Sequence, residues 1–303
     1  MVTNLITPKF PRNGLAISQT SIAVVQSSGA KGSIQVGQHA EVTIPAELLR
    51  ADFTAADFES TRLQSLIREC AERAGLADKK NWNLALPHGV GKVSAFSLDS
   101  DPKSTRELHE IIEWKASAAF GVDPNLLRLA TEKISNDVDG KTRYLVSAVS
   151  KEVLVGFEEL LAGLGWNLGL VLPRPLAETV ILDDLGSGDS LLLSFSDDGF
   201  NGMILRGTDP LIIRNVTCSE DELSDELYRL VLFYSDRFGN GGGELSRLLA
   251  TGTRFDLQSL AELCSEALGY HMDVIDGELI GMSPEAVVSE AVLAASGVSA
   301  VSA

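Results

Sequence analysis

Twice along this chain three short apolar segments follow one another across tight polar turns, and each triplet then runs into a helix. The first triplet is Leu15 to Ile17, Ile22 to Gln26 and a segment through Ser33 to Val42, with Ser18 to Ser21 as its first turn. The second is Ser190 to Ser196, Phe200 to Arg206 and Leu211 to Val216, with Asp197, Asp198 and Gly199 at its first turn. β-branched runs bounded by Ser, Asp and Gly at this spacing predict antiparallel strands. After the first triplet, Leu63, Leu66, Ile67, Cys70 and Ala71 mark one face of a helix over Ser60 to Ala74, Gly75 stops it, and a strand follows at Trp82 to Leu86. After the second, Ser219 and Glu222 form a capping box for a helix to Phe238. A strand at Leu245 to Ala250, a helix at Leu257 to Leu268 and a strand at His271 to Ile275 follow. This order predicts a duplicated α/β fold. The two halves do not align residue by residue, so the repeat is one of element order.

Between the triplets lies an additional run: strand Val93 to Leu98, helix Ser104 to Phe120, strands Leu126 to Ile134 and Thr142 to Val149, helix Lys151 to Leu164 and strand Trp166 to Leu172. We expect this βαββαβ unit, about 93–172, to form an inserted subdomain with both helices on one sheet face. Asn136 to Lys141, with Asp139 and Gly140, reads as a hairpin turn within it. A short helix from Pro175 to Leu185 and the Gly186 to Gly188 turn lead into the second half. The expected division is an irregular arm at 1–13, a first half at 14–186 holding the insertion, and a second half at 187–303. A final helix can begin after Ser283 and Pro284, and its small-residue tail ASGVSAVSA is expected to fray.

With 25 basic against 42 acidic residues, a net charge of −17 repels phosphate backbones and anionic headgroups, which argues against nucleic acid. No window approaches the roughly 20 apolar residues of a membrane span, and the N-terminal segment lacks the pattern of a secretory signal, so a cytoplasmic protein is expected. Cys70, Cys218 and Cys264 are far apart, and His39, His88, His109 and His271 have no partner at i+3 or i+4. These positions propose no metal site, disulfide or catalytic triad. Glu107, Glu110 and Glu113 read as a solvated helix face rather than a cation site. Ile111, Ala118 and the helical period place Trp114 in the core, and Tyr228, Phe233, Tyr234 and Phe238 are also expected there.

Two long stretches carry a family resemblance: ELHEIIEWKASAAFGVDP, from Glu107 to Pro124, and LVSAVSKEVLVGFEELLAGLGWNLGLVLPRPLA, from Leu145 to Ala177. Together with the element order they resemble the PilM family of type IV pilus assembly proteins and the related cytoplasmic domains of type II secretion. The resemblance implies an actin-like, ribonuclease H-like duplicated α/β fold. It also implies that the first hairpin turn of each half once held a nucleotide's phosphates and metal through an Asp-x-Gly motif. Here the first turn has Ser18 at the Asp position and Thr20 at the Gly position, with Ser21 following. The second has Ser194 and Ser196 at those positions, and of the family's late Gly-Gly pair only Gly252 is kept. Serine cannot replace an ionised acid at a metal-bound triphosphate. Asp197 and Asp198 beside Gly199 read as hairpin chemistry rather than a relocated metal site.

The expectation is therefore a protein without enzymatic activity, with no cofactor and no metal. It would act as a scaffold of a pilus or secretion assembly platform, peripheral to the inner membrane. The resemblance implies that it binds the cytoplasmic N-terminal segment of an inner-membrane protein, in a groove between the first half's core and the insertion. An ATP-binding switch or ATPase of the same machinery, with weak ATP and magnesium binding at Ser18, Thr20, Ser21, Ser194, Ser196 and Gly252, is the alternative left open, as is self-association.

Overall fold

The computed structural model describes residues 10–28, 35–182, 188–196, 199–238, 244–251, 257–275 and 289–301. Gly252, Asp197 and Asp198 lie outside them. In the first half, β1 (Asn13–Ile17), β2 (Ser21–Ser28) and β3 (Gln35–Thr43) form the antiparallel triplet. A small hairpin, β4 (Leu49–Ala51) and β5 (Ala56–Phe58), and helix α1 (Ser60–Arg73) follow. Strand β6 (Asn81–Ala85) then lies parallel to β1. Gly75 ends α1 at φ +72°, a backbone state that favours glycine.

The insertion is smaller than the sequence suggests. Strand β7 (Gly91–Ser97), helix α2 (Thr105–Phe120), β8 (Leu127–Ile134) and β9 (Arg143–Ser150) make a three-stranded sheet in the order β7-β9-β8 under a single helix. Helix α3 (Lys151–Ala162) and strand β10 (Asn167–Leu172) return to the core instead. The βαββαβ boundary at 172 is thus corrected to about 150, and the cause is side-chain chemistry. Val153, Phe157, Leu160 and Leu161 of α3 join Leu63, Ile67 and Cys70 of α1 in one cluster. Gln64 Nε2 of α1 donates to Leu160 O at 2.9 Å. Strand β10 pairs in parallel with β6, where Trp166 stacks on Trp82 at 4.5 Å.

The second half begins after a short helix, α4 (Arg174–Thr179). Strands β11 (Asp189–Ser196), β12 (Gly199–Arg206) and β13 (Asp209–Thr217) are antiparallel. They lead to helix α5 (Glu220–Phe238), β14 (Leu245–Thr251), α6 (Leu257–Leu268) and β15 (Asp273–Val274). Sheet orders β3-β2-β1-β6-β10 and β13-β12-β11-β14-β15 match strand for strand. In both, the first strand is antiparallel to the second and parallel to the fourth. The duplication read from element order is present in the topology.

Helix α7 (Glu290–Ala300) corrects the expected fraying tail, because it is almost wholly buried. Its small residues are what bury it. Alternation along β1 sends Leu15 and Ile17 toward α1, and leaves Gly14 and Ala16, with Ala23 and Ala85, on the opposite face. That shallow face accepts Ala291, Ala294, Ala295 and Val298 of α7. Contact is so close that a Cβ on Gly14 would sit 2.0 Å from Ala295 O, and one on Gly297 would sit 1.8 Å from Ala177 O of α4. Leu293 of the same helix joins Leu192, Met203 and Leu249 of the second sheet. Although it closes the second half in sequence, α7 is packed between both sheets.

The insertion also reaches the second half. Arg143, on β9, donates from Nη2 to the carbonyls of Pro210 (2.7 Å) and Leu211 (3.1 Å), and Asn215 Nδ2 donates to Val93 O at 3.3 Å. Two aromatic expectations on α5 are corrected: Tyr234 is buried and Phe238 packs with the core, but Tyr228 and Phe233 are exposed. Phe233 instead carries the Arg214 guanidinium 5.0 Å from its ring centre. Cys70 and Cys264 are buried free thiols, each pushed up to about 12 chiefly by burial. No helix among the described residues is long and apolar enough to cross a membrane. If α7 needs glycine where it touches α4, Gly297→Ala should lower unfolding stability in urea by about 3 kcal/mol. Val301→Ala, on an exposed residue just past the helix, should change it by less than about 0.5 kcal/mol.

Candidate functional site

The first turn joins β1 to β2 and is closed on itself. Ser18 is buried, and its Oγ accepts from the backbone N–H groups of Thr20 (3.2 Å) and Ser21 (2.9 Å) while lying 3.1 Å from Ser21 O, to which it can donate. Ser18 N–H donates to Ser21 O at 2.8 Å, and Thr20 O accepts from Ile44 N–H at 2.8 Å. Side-chain to backbone bonding of this kind is what serine does in a turn. Its consequence is specific. The amides of Thr20 and Ser21, donors that a phosphate would need, are spent on Ser18 Oγ.

In the second half Ser194, fully buried on β11, donates its hydroxyl to Glu178 Oε2 of α4. The other oxygen of Glu178 accepts from Arg174 Nε at 2.8 Å, and Arg174 Nη1 pairs with Glu290 of α7 at 3.2 Å. Arg174 and Glu178 are 3% and 0% exposed, so this is a buried ion pair with a hydroxyl in its shell. Burial alone would push the guanidinium down, but Glu178 and Glu290 hold it above its usual value. Arg174 Nη2 is buried with no hydrogen-bond partner among the described residues. His88, in the loop after β6, has its Nε2 3.1 Å from Ser194 O, so the imidazole donates across from the first half. Thr251 is the register partner of Ser194 on β14.

The structure therefore brings Ser18, Thr20 and Ser21 into one hydrogen-bonded turn and seats Ser194 in a separate ion-pair cluster. Ser196 pairs through its backbone with Gly199 of β12. Sequence reasoning missed Arg174, Glu178, His88 and Glu290. A signal was present: Arg174 and Glu178 stand at i and i+4 on a short helix whose neighbours Pro175 and Ala177 are apolar. The expectation of a site emptied of acids needs amendment, since Glu178 brings a carboxylate to Ser194 from another element. These residues do not fit a triphosphate with its metal. The turn amides are taken, the Glu178 carboxylate beside Ser194 is matched by Arg174, and no group of three or more His, Cys, Asp and Glu among the described residues is placed to hold an ion.

Because each buried charge is compensated by the other, the single and double variants should behave differently. Arg174→Met strands Glu178 and should cost about 3–5 kcal/mol of unfolding stability in urea. Arg174→Met with Glu178→Leu should recover most of that loss.

No family model matches the chain, and no curated protein sequence matches it. Solved structures do. A chain of a PilM-PilN type IV pilus biogenesis complex superposes with a TM-score of 0.69 at 19% identity, over 96% of this chain and 98% of that one. A Bacteroides thetaiotaomicron protein of unknown function with an actin-like ATPase fold superposes at 0.50 and 11% identity, over 91% and 94%. The cytoplasmic domain of EpsL, an inner-membrane component of the Vibrio cholerae type II secretion system, reaches 0.47 at 15% identity, over 80% and 82%. The duplicated sheets and the first two of these superpositions agree on one architecture: the chain has a PilM-like, actin-like fold.

Proposed function

We propose that this protein is a non-catalytic, actin-like scaffold of a type IV pilus or type II secretion assembly platform. The observation that carries the reading is the first turn, where Ser18 Oγ occupies the amides of Thr20 and Ser21. A turn satisfied by its own side chain gains little from a phosphate, since the ligand would exchange one hydrogen-bond acceptor for another. Positions 18 and 194 hold no acid to orient a metal-bound water for attack on a phosphoryl group, and the carboxylate beside Ser194, that of Glu178, is already paired with Arg174. What remains of the fold is its surface. The near-complete mutual coverage with a chain of a PilM-PilN complex supports a partner of the PilN kind. We take that partner to be the cytoplasmic N-terminal segment of an inner-membrane protein, and the protein to lie on the cytoplasmic side, held at the membrane through it.

One observation favours a second reading, a nucleotide-binding switch of the same machinery: Arg174 Nη2 is a buried donor lacking an acceptor among the described residues, and an anion could supply one. Calorimetric titration with ATP and magnesium separates the two readings. The scaffold reading expects no saturable heat at micromolar nucleotide and no phosphate release above the protein-free rate. Heat that saturates in wild type and vanishes in the folded double variant Arg174→Met with Glu178→Leu would establish the switch instead. On co-expression with pilus or secretion platform membrane proteins, the scaffold reading expects one of them to co-purify. A chain that stays alone with every platform protein defeats it.

A further inference from the structure

Helix α2 of the insertion turns one side to solvent, and that side is not shaped like a surface left to water. Glu107, Glu110, Ile111 and Trp114 recur at the spacing that stacks side chains along one helix face. With Leu98 and Asp99 of the loop after β7 they wall an open pocket of about 410 Å³. Trp114 is 70% exposed, against the sequence expectation of a core position. Trp82 and Trp166 are buried, where they stack on each other, so Trp114 is the exception. The core face of α2 is supplied by Ile112, Ala116 and Phe120, which pack on Leu127, Val146 and Phe53. Folding therefore does not require an indole at 114, and tryptophan is enriched where proteins meet partners.

The charges around the ring say what would fill the pocket. Asp99, Glu107 and Glu110 line it against one cation, Lys115, whose Nζ lies 6.0 Å from the Trp114 ring centre. Each acid already has a local partner: Arg106 donates to Glu110 at 2.9 Å, Lys141 to Asp99 at 2.5 Å, and the backbone N–H of Lys103 to Glu107 at 2.6 Å. The two ion pairs are exposed and contribute little, so an incoming cation can replace them at small cost. An electron-rich indole face beside carboxylates is complementary to a guanidinium or ammonium group. The apolar surface of Ile111 and Leu98 is complementary to a neighbouring aliphatic side chain. Anionic ligands, including nucleic acid and acidic lipid, meet the wrong sign.

We propose that this pocket is a docking site for a basic polypeptide segment of a partner protein. An arginine or lysine of that segment stacks on Trp114 between Glu107 and Glu110, and an adjacent apolar side chain covers Ile111 and Leu98. The surface lies on the insertion itself and shares no residue with the buried Ser194 cluster. It does not depend on which machine the scaffold serves.

The test uses the full chain and a fluorescently labelled, end-blocked peptide of alternating Arg and Leu, with a Glu and Leu peptide as its counterpart. Anisotropy should show saturable binding of the basic peptide alone. Trp114→Ala should weaken it about tenfold, and Glu107→Gln with Glu110→Gln about fivefold with a flatter salt dependence. Trp114 and Glu110 are exposed, and a glutamine at the half-buried position 107 can still accept from Lys103 N–H, so the variants should keep wild-type circular dichroism and melting. The proposal is overturned by absent saturation, by equal binding of the acidic peptide, or by unchanged affinity in a folded Trp114→Ala variant. Self-association abolished by Trp114→Ala would give the face to a second copy and overturn it as well.

Discussion

The contact on which the rest of the molecule depends is the one between α7 and the two backbones that flank it. Gly14 on β1 meets Ala295 O, and Gly297 on α7 meets Ala177 O of α4, with no room for a methyl group at either place. A helix of Ala, Ser, Gly and Val can lie this close only against a sheet face that is itself small, and Ala16, Ala23 and Ala85 provide that face. Polar groups then fasten it. Asn83 Nδ2 donates to Val298 O at 3.0 Å, Ser27 Oγ donates to Ser299 O at 3.0 Å, and Ser289 Oγ caps the first turn by accepting from Val292 N–H. The last carbonyls of a buried helix need such donors, since they have none within the helix. Glu290, at the start of the same helix, reaches Arg174. The C-terminal helix thus sets the distance between the sheets and the position of the ion pair beside Ser194.

That ion pair and the closed first turn are two solutions to the same physical problem. Strand ends at the mouth of an actin-like fold carry backbone donors and buried polar side chains that need partners when no ligand supplies them. At the first turn Ser18 folds back onto its own amides. At the second, Ser194 turns to Glu178, and Glu178 to Arg174. An aspartate at either position could not do the same: ionised at neutral pH, it has no proton to give to Ser21 O or to Glu178. The serines therefore complete local networks that acids would disrupt.

Much of the fold was legible because it rests on local rules. The Ser18 to Ser21 turn, the stop at Gly75 and the hairpin closed by Gly140 are each decided within a few residues, and each is present, while of the expected Ser219 and Glu222 capping box only the half in which the Glu222 carboxylate accepts from Ser219 N–H is formed. What was not legible is decided by partners distant in sequence. Residues Ala295 to Ser299 of the C-terminal tail show no helical face because they are buried all round, and an all-round buried helix shows no amphipathic period. Helix α3 and β10 read as part of the insertion because they follow it directly, and only the spatial meeting of Phe157 with Ile67 and of Trp166 with Trp82 assigns them to the core. Trp114 was placed inside because apolar neighbours flank it in sequence. The helix rotates it away from Ile112 and Ala116, which fill the core positions. The site was half legible: the serines by their turns, the Arg174 and Glu178 pair only once α4 is seen beneath β11.

The insertion adds a constraint that the duplicated halves alone would lack. Any motion that parted the two halves would have to break the insertion's bonds to the second half. Here Arg143 spans from β9 of the insertion to the carbonyls of Pro210 and Leu211 at the start of β13, and burial pushes its guanidinium below its usual value. Val93 and Asn215 make a second bond across the same boundary, and Asp209 accepts from Ser135 N–H in a third. Opening the mouth would pull a buried cation off its acceptors, at a cost of about 1–3 kcal/mol for each group left without one. It would also separate His88 from Ser194. The halves are therefore tied at two places, through the insertion on the outside and through α4 and α7 in the middle. These bonds hold the insertion against the second half at its β13 edge, so the two cannot part without leaving buried polar groups unpaired.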